Sequence, residues 1–300
     1  MMKRLNLLAF MSALSVYFSL AAYAQSSPES IRFGLIADIQ YCDCEPRGSR
    51  FYRNSLEKLE NCVAEFNREK LEFAVNLGDL VDRDTDKNLG AVLSVLDKFN
   101  GKTYNISGNH DYDGVVDNGA LYARLGMPAS YYSFVVKGWR LVFLNTNEVS
   151  LYANAAPLAG EHEDMMRQIR ESGRKNGEPY NGGVSKKQLK WLEDELASAS
   201  SADEKVIVFS HHPIYAAPGL TALNDRDILA VLSASSCVKA VISGHHHPGD
   251  FGMYGNIPFI TAEGMVETEK ENAYGIIEIA ANRIVIGGRG RTKSYDLPAL

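Results

Sequence analysis

The sequence predicts a layered α/β domain built on mixed sheet, and three observations carry that reading. Apolar runs of strand length alternate with amphipathic helical stretches along the chain. Short polar segments rich in Asp, Asn and His follow five of the predicted strands, where α/β folds gather ligand-binding groups. The composition is globular: 300 residues, 23% charged and 45% apolar, with 10 Pro and 25 Gly. Those values exclude disordered, collagen-like and disulfide-knot classes. No internal repeat or low-complexity tract interrupts the pattern, so a single layered domain is expected over residues 25–300.

The elements follow in order. Ile31 to Ala37 is read as a buried strand, Tyr52 to Phe66 as a helix and Glu72 to Leu77 as the next strand. Leu89 to Phe99 is helical and Thr103 to Ile106 is a strand. Tyr131 to Val136 and Trp139 to Leu144, joined by Lys137-Gly138, form a predicted hairpin. Ser185 opens a helix through a Ser-x-x-Gln box with Gln188, placing Leu189, Leu192 and Leu196 on one face. Strands are then expected at Val206 to Phe209, Val238 to Ile242, Phe259 to Ala262, Gly275 to Ala280 and Ile284 to Ile286. Ser172 to Gly183, rich in Gly, Asn and charge, reads as a linker.

The first 24 residues fall outside this pattern. A basic start at Lys3-Arg4, an apolar stretch from Leu7 to Leu20 and the closing Ala22-Tyr23-Ala24 read as a secretory leader cut before Gln25. Ser12, Ser15 and Ser19 weaken the stretch as a membrane anchor, and no later run is long and apolar enough to span a bilayer. An exported protein, periplasmic or secreted, is therefore expected. Its net charge, −6 for the whole chain, would become −8 without Lys3 and Arg4. That balance argues against nucleic acid as a partner, because such binding displaces counterions with basic surface. An anionic substrate would need local neutralisation by metal or a few placed cations. The cysteines are Cys42, Cys44, Cys62 and Cys237. Cys42 and Cys44 are read as too close to pair, so a bridge from one of them to Cys62 is expected, with four free thiols as the alternative. Zinc-knuckle spacing is absent.

The chemistry lies in Asp38-Ile39-Gln40, Gly78-Asp79-Leu80-Val81-Asp82, Gly108-Asn109-His110-Asp111, Ser210-His211-His212-Pro213 and Gly244-His245-His246-His247. Six of the seven histidines fall in these segments, His162 being the exception. Each segment alone reads as a turn, a helix cap or a core histidine. In strand-like backbone, however, His245 and His247 point the same way and suit one metal site.

In this order the segments resemble the calcineurin-like metallophosphoesterases: Asp-x-His, Gly-Asp-x-x-Asp, Gly-Asn-His-Asp/Glu, His, Gly-His-x-His. Gln40 stands where the wider family has His, and its carbonyl oxygen can still bind a hard ion such as manganese or magnesium. Ile36-Ala37-Asp38-Ile39-Gln40-Tyr41, Tyr180 to Gly183, Glu263-Gly264-Met265-Val266-Glu267-Thr268 and Gly288 to Arg291 resemble the manganese-dependent ADP-ribose/CDP-alcohol diphosphatases. The resemblance implies a four-layer α/β/β/α sandwich of two mixed sheets flanked by helices. It assigns Asp38, Gln40, Asp79 and His247 to one metal ion, and Asp79, Asn109, His211 and His245 to a second. Manganese is the expected metal, with magnesium, iron or zinc as alternatives. Two such ions could hold a bridging hydroxide at neutral pH for in-line attack on a pyrophosphate.

His110 would stabilise or protonate the leaving oxygen with Asp111 orienting its ring, and Asp82 would cap a helix or support a neighbour. His212 and His246 are left outside the ligand set. Arg289 and Arg291 could grip phosphate and Tyr41 could stack on a base. The expected reaction splits nucleoside diphosphate derivatives into a nucleoside monophosphate and a phosphorylated partner. The alternatives are a phosphomonoesterase or phosphodiesterase, and a non-catalytic metal-binding or interaction protein on the same scaffold.

Overall fold

The computed structural model describes residues 30–153 and 156–299, so the leader read in residues 1–24 lies outside the described residues. Two six-stranded mixed sheets pack face to face with helices outside them, the four-layer sandwich that was expected.

In the first sheet, β1 (Ile31–Ile36) runs parallel to β2 (Phe73–Asn76), which is parallel to β3 (Lys102–Asn105). Helices α1 (Asn54–Arg68) and α2 (Thr85–Leu96) supply the crossovers. β1 also pairs antiparallel with β10 (Ala273–Ala280), which continues into β11 (Arg283–Gly290) and β12 (Tyr295–Pro298). Helix α1 lies close on this sheet because Gly34 has no side chain. A Cβ there would overlap the ring of Phe66.

In the second sheet the hairpin of β4 (Tyr132–Val136) and β5 (Trp139–Phe143) closes through Lys137-Gly138, as read from sequence. β5, β6 (Lys205–Ser210), β7 (Val238–Ser243) and β9 (Ile257–Thr261) run parallel, and β8 (Asp250–Tyr254) forms the far edge. Period-two alternation gives this sheet two apolar faces. Ile207 and Phe209 face the first sheet, whereas Val206 and Val208 face α5 (Lys186–Ser201) and α6 (Asp225–Ser233).

Rings from both sheets fill the space between them. Phe33 stacks on Phe73 at 4.8 Å and meets Phe209 edge-on at 6.2 Å, and Phe209 stacks on Phe143 at 5.0 Å. Offset and edge contacts of this kind add to the area they bury.

Ser185 caps α5 as expected, its side chain accepting from the Gln188 N–H at 3.1 Å. The sequence reading passed over α3 (Asn118–Arg124), α4 (Ala159–Glu171), α6, β8 and β12. The segment 172–183 is no loose tether. Asn176 and Asn181 are buried there, and the Val149–Gly183 pair is joined by two backbone hydrogen bonds.

The cysteine reading is corrected: Cys42 and Cys44 are bridged, and Cys62 and Cys237 are buried free thiols. A bend at Asp43 brings the Cys42 and Cys44 Cα atoms to 5.2 Å, within bridging range, while Cys62 faces the core from α1. No helix of the described residues is long and apolar enough to cross a membrane.

Candidate metal centre

The five ligand-rich segments leave β1, β2, β3, β6 and β7, all members of parallel runs, so they converge on one edge of the sandwich. Asp38, Gln40, Asp79 and His245 all have positive φ, between +42° and +68°. Each such residue costs about 1–3 kcal/mol, and strained backbone of this kind gathers at functional sites. Gly108 is needed for a different reason: a Cβ would strike the Asp79 carboxylate.

Hydrogen bonds at the rim indicate which nitrogen of each ring donates. His211 Nδ1 lies 2.8 Å from the Leu77 carbonyl, so it donates there and leaves Nε2 bare. Asn181 spends both amide protons on the Asn176 and Gly219 carbonyls, each at 2.9 Å. Its Oδ1 therefore accepts from His245 Nε2 at 3.1 Å, which leaves His245 Nδ1 bare. The two bare nitrogens face each other at 3.2 Å, and Asn109 Oδ1 is 3.1 Å from the same His211 nitrogen.

A second cluster adjoins the first. His247 donates from Nδ1 to Glu267 at 2.7 Å and turns Nε2 toward Asp38 at 3.5 Å. Gln40 donates to Asp79 Oδ2 at 3.0 Å, and its own Oε1 is buried with no partner among the described residues. The Asp79 carboxylate lies between the clusters, 3.5 Å from His211 Nε2. Ligand atoms of Asp38, Asp79 and His211 lie within 4.8 Å of one another. Lone pairs aimed at lone pairs, with an orphaned amide oxygen among them, fit cations. The residues present therefore suit two divalent ions.

The charge states agree. Burial and the neighbouring imidazoles hold His245 well below the usual histidine range, so it stays neutral. Burial opposes protonation of His247, but Asp38 and Glu267 outweigh it and raise the ring to about 9. Burial also disfavours the charged Asp79, yet His211, His110 and Gln40 keep its carboxyl low. His212 is pushed down to about 3 by burial and His211. Its nitrogens are taken by Thr146 at 2.9 Å and the Tyr180 carbonyl at 3.1 Å, and one of them lies within 4.8 Å of ligand atoms of His211 and His245.

The expected role of Asp111 is corrected. Its buried carboxylate accepts from the backbone N–H groups of Leu80, Val81 and Gly108 at 2.8, 3.2 and 2.8 Å. It ties two site loops together, and burial and Asp79 push it up to about 7. The His110 ring is oriented instead by the Asp82 carbonyl, 2.7 Å from Nδ1. Its Nε2 has no hydrogen-bond partner among the described residues. The His110 backbone N–H donates to Asp79 Oδ1 at 2.8 Å. Asp82 supports a neighbour and caps no helix, the α2 cap position being Asp84.

The residues expected to touch substrate are also placed differently. Arg289 pairs with Glu65 on α1 at 2.7 Å, and Tyr41 packs against the sandwich core. Arg291 donates to the carbonyls of Gly264 at 2.8 Å and His247 at 3.1 Å, bracing the His247 loop from behind. Lys58 braces the same segment through the carbonyls of Met265, Glu267 and Thr268. Asn181 and Glu267, which fix the two ligand rings, were quoted in the sequence motifs but not as ring-positioning residues.

The sandwich and the carboxylate, amide and imidazole cluster at its edge define a metal-dependent phosphohydrolase. The chain belongs to the calcineurin-like phosphoesterase family, whose model matches residues 31–249. It is 31% identical to a rice protein named manganese-dependent ADP-ribose/CDP-alcohol diphosphatase, over 92% of this chain and 96% of that one. A human protein of the same name is 28% identical over 90% of this chain and 93% of its own. The crystal structure of a dimetal phosphatase from Danio rerio superposes with a TM-score of 0.82 at 27% identity, covering 90% of this chain and 99% of that one.

Because Glu267 and Asn181 fix ring orientation and tautomer, Glu267→Gln and Asn181→Ala are each expected to weaken manganese binding about 10- to 100-fold. The manganese dependence of turnover checks this: half-saturation should move while the rate at saturating metal changes little.

Proposed function

We propose that the protein is an exported dimetal hydrolase that splits the pyrophosphate bond of nucleoside diphosphate derivatives such as ADP-ribose and CDP-alcohols. The observation that carries the metal chemistry is the convergence of bare His211 Nε2 and His245 Nδ1 at 3.2 Å beside the partnerless Gln40 oxygen. In this reading Asp38, Gln40, Asp79 and His247 hold one ion, and Asp79, Asn109, His211 and His245 hold the other. Two divalent ions there supply charge neutralisation for a phosphate and an acidified water as nucleophile. The names of the relatives support the substrate class and manganese. The leader-like residues 1–24 support export.

His110 is the proton carrier. With Nδ1–H committed to the Asp82 carbonyl, Nε2 is the nitrogen that can deliver a proton to the leaving oxygen as the P–O bond breaks. Its backbone bond to Asp79 fixes the ring relative to a carboxylate that would hold metal.

A metal-stripped preparation reloaded with manganese, magnesium, zinc or calcium tests the reading on ADP-ribose, CDP-choline, a phosphomonoester and a phosphodiester. Manganese-restored release of AMP and CMP is expected. Cleavage of the simple esters alone would retain the metal centre and overturn the diphosphatase assignment. The mature N-terminus of protein recovered from its native host should be Gln25, and an intact Met1 would overturn export by leader cleavage.

A further inference from the structure

We propose that Arg47, Arg50 and Arg83 form the subsite for the second phosphoryl group of the substrate, the one that leaves. The inference rests on the diphosphatase reading and supplies the arginines that Arg289 and Arg291 do not.

His110 borders two cavities of unlike charge. One, of about 460 Å³, is lined by these three arginines with Tyr52, Asp82 and His110. The other, of about 450 Å³, is lined by Tyr152, Tyr180, Asp82 and Asp113 among others, and no Lys or Arg lines it. A leaving phosphate beside His110 meets three guanidiniums and the Asp82 carboxylate on one side, and Asp82 and Asp113 with no cation on the other. Coulombic attraction therefore directs it to the arginine side. The tyrosine side is left for the uncharged part of the substrate.

The arginine side is a built surface. Arg47 and Arg50 close a turn through mutual backbone hydrogen bonds of 3.0 and 3.1 Å. That turn is pinned to the Glu267 segment by Phe51 N–H to Val266 at 3.0 Å and Thr268 N–H to Ser49 at 2.8 Å. Arg50 spans Asp82 at 3.8 Å and Glu267 at 3.7 Å, so the turn reaches from the His110 side of the centre to the His247 side. Arg83 is held by Asp82 at 2.8 Å. Arg47 has no ion pair or side-chain hydrogen bond among the described residues and is the guanidinium most available to a ligand. Arg83 hydrogen-bonds Asp82 Oδ2, Arg50 lies 3.8 Å from Asp82 Oδ1, and Glu267 is engaged by His247 and Arg50.

Arg47→Ala and Arg47→Lys in the manganese-loaded protein test the assignment with ADP-ribose and with bis(p-nitrophenyl) phosphate, which has no second phosphate. For Arg47→Ala, kcat/KM on ADP-ribose should fall about 10- to 100-fold, the size of a lost charged hydrogen bond. The diester rate should stay within about twofold, Arg47→Lys should recover part of the loss, and inhibition by ribose 5-phosphate should weaken in parallel. Equal loss on both substrates, or none on either, would overturn the subsite. A wild-type protein that cleaves the diester and leaves ADP-ribose intact would overturn the diphosphatase reading, and the subsite with it.

Discussion

Removal of bound metal with a chelator is expected to lower the melting temperature by about 10 °C at neutral pH, and manganese should restore it. An ion present at 1,000 times its dissociation constant adds about 4 kcal/mol to stability, and a chain of this size gains about 2–4 °C per kcal/mol. The metal-free site has to tolerate facing lone pairs of His211 and His245 and the bare Gln40 oxygen, all buried or nearly so. The effect has a sign in pH. Below about 9 the metal-free His247 ring carries a proton shared with Asp38 and Glu267. That proton stabilises the metal-free fold up to pH 6.5 and is lost as pH rises through about 9, so an ion must displace it at neutral pH. Manganese affinity should therefore rise about tenfold per pH unit toward 9 as this one proton ceases to compete. Paired melting curves at pH 7 and pH 9 check both parts. A melting temperature insensitive to verified metal removal would mean that protons satisfy the cluster.

Four of the five ligand segments were legible because they follow interior strands, which write themselves as apolar runs. β6 shows it: Val206 to Phe209 is continuous apolar sequence feeding two cores, and His211 comes directly after. β3, by contrast, is a half-exposed edge strand, and the segment after it was legible from its own Gly-Asn-His-Asp residues. The edges at β8 and β12 were not legible. β8 has the mostly exposed face of an edge strand, with Phe251, Met253 and Tyr254 outward, and no alternation marks it. α6 buries only Ile228 and Leu232, a single turn of periodicity.

The groups that orient the ligands were hidden for another reason. Asn181 sits in a segment whose Gly and Asn content reads as a linker. Its task comes from carbonyls at Asn176 and Gly219 that only the closed fold supplies. The orientation of His110 depends on a backbone carbonyl, a group that carries no sequence signature. Arg289 and Arg291 are both engaged within the fold. β11 pairs Arg289 with Tyr274 of β10, beside Glu65, and both Arg289 and Tyr274 hydrogen-bond that carboxylate. Arg47, Arg50 and Arg83 are scattered over two loops that the fold brings to one cavity, Arg50 and Arg83 both approaching Asp82.

His110→Ala should lower kcat on a diphosphate substrate by about 10²- to 10⁴-fold, the usual contribution of a positioned general acid. Manganese affinity should be unchanged, because the contact from this position to Asp79 is a backbone N–H that alanine keeps. The loss should depend on the leaving group. p-Nitrophenolate departs without a proton, so bis(p-nitrophenyl) phosphate should lose far less than ADP-ribose. A loss of equal size on both would assign His110 to charge stabilisation rather than proton delivery. Asp82→Ala retains the carbonyl that holds Nδ1 and should preserve that leaving-group selectivity. Asp111→Ala should behave differently again. It strips the acceptor from three backbone N–H groups, at about 1–3 kcal/mol for each donor left unpaired. Its loss should appear in melting temperature and on every substrate alike. The three variants thus separate proton delivery at His110 from the scaffold that holds it.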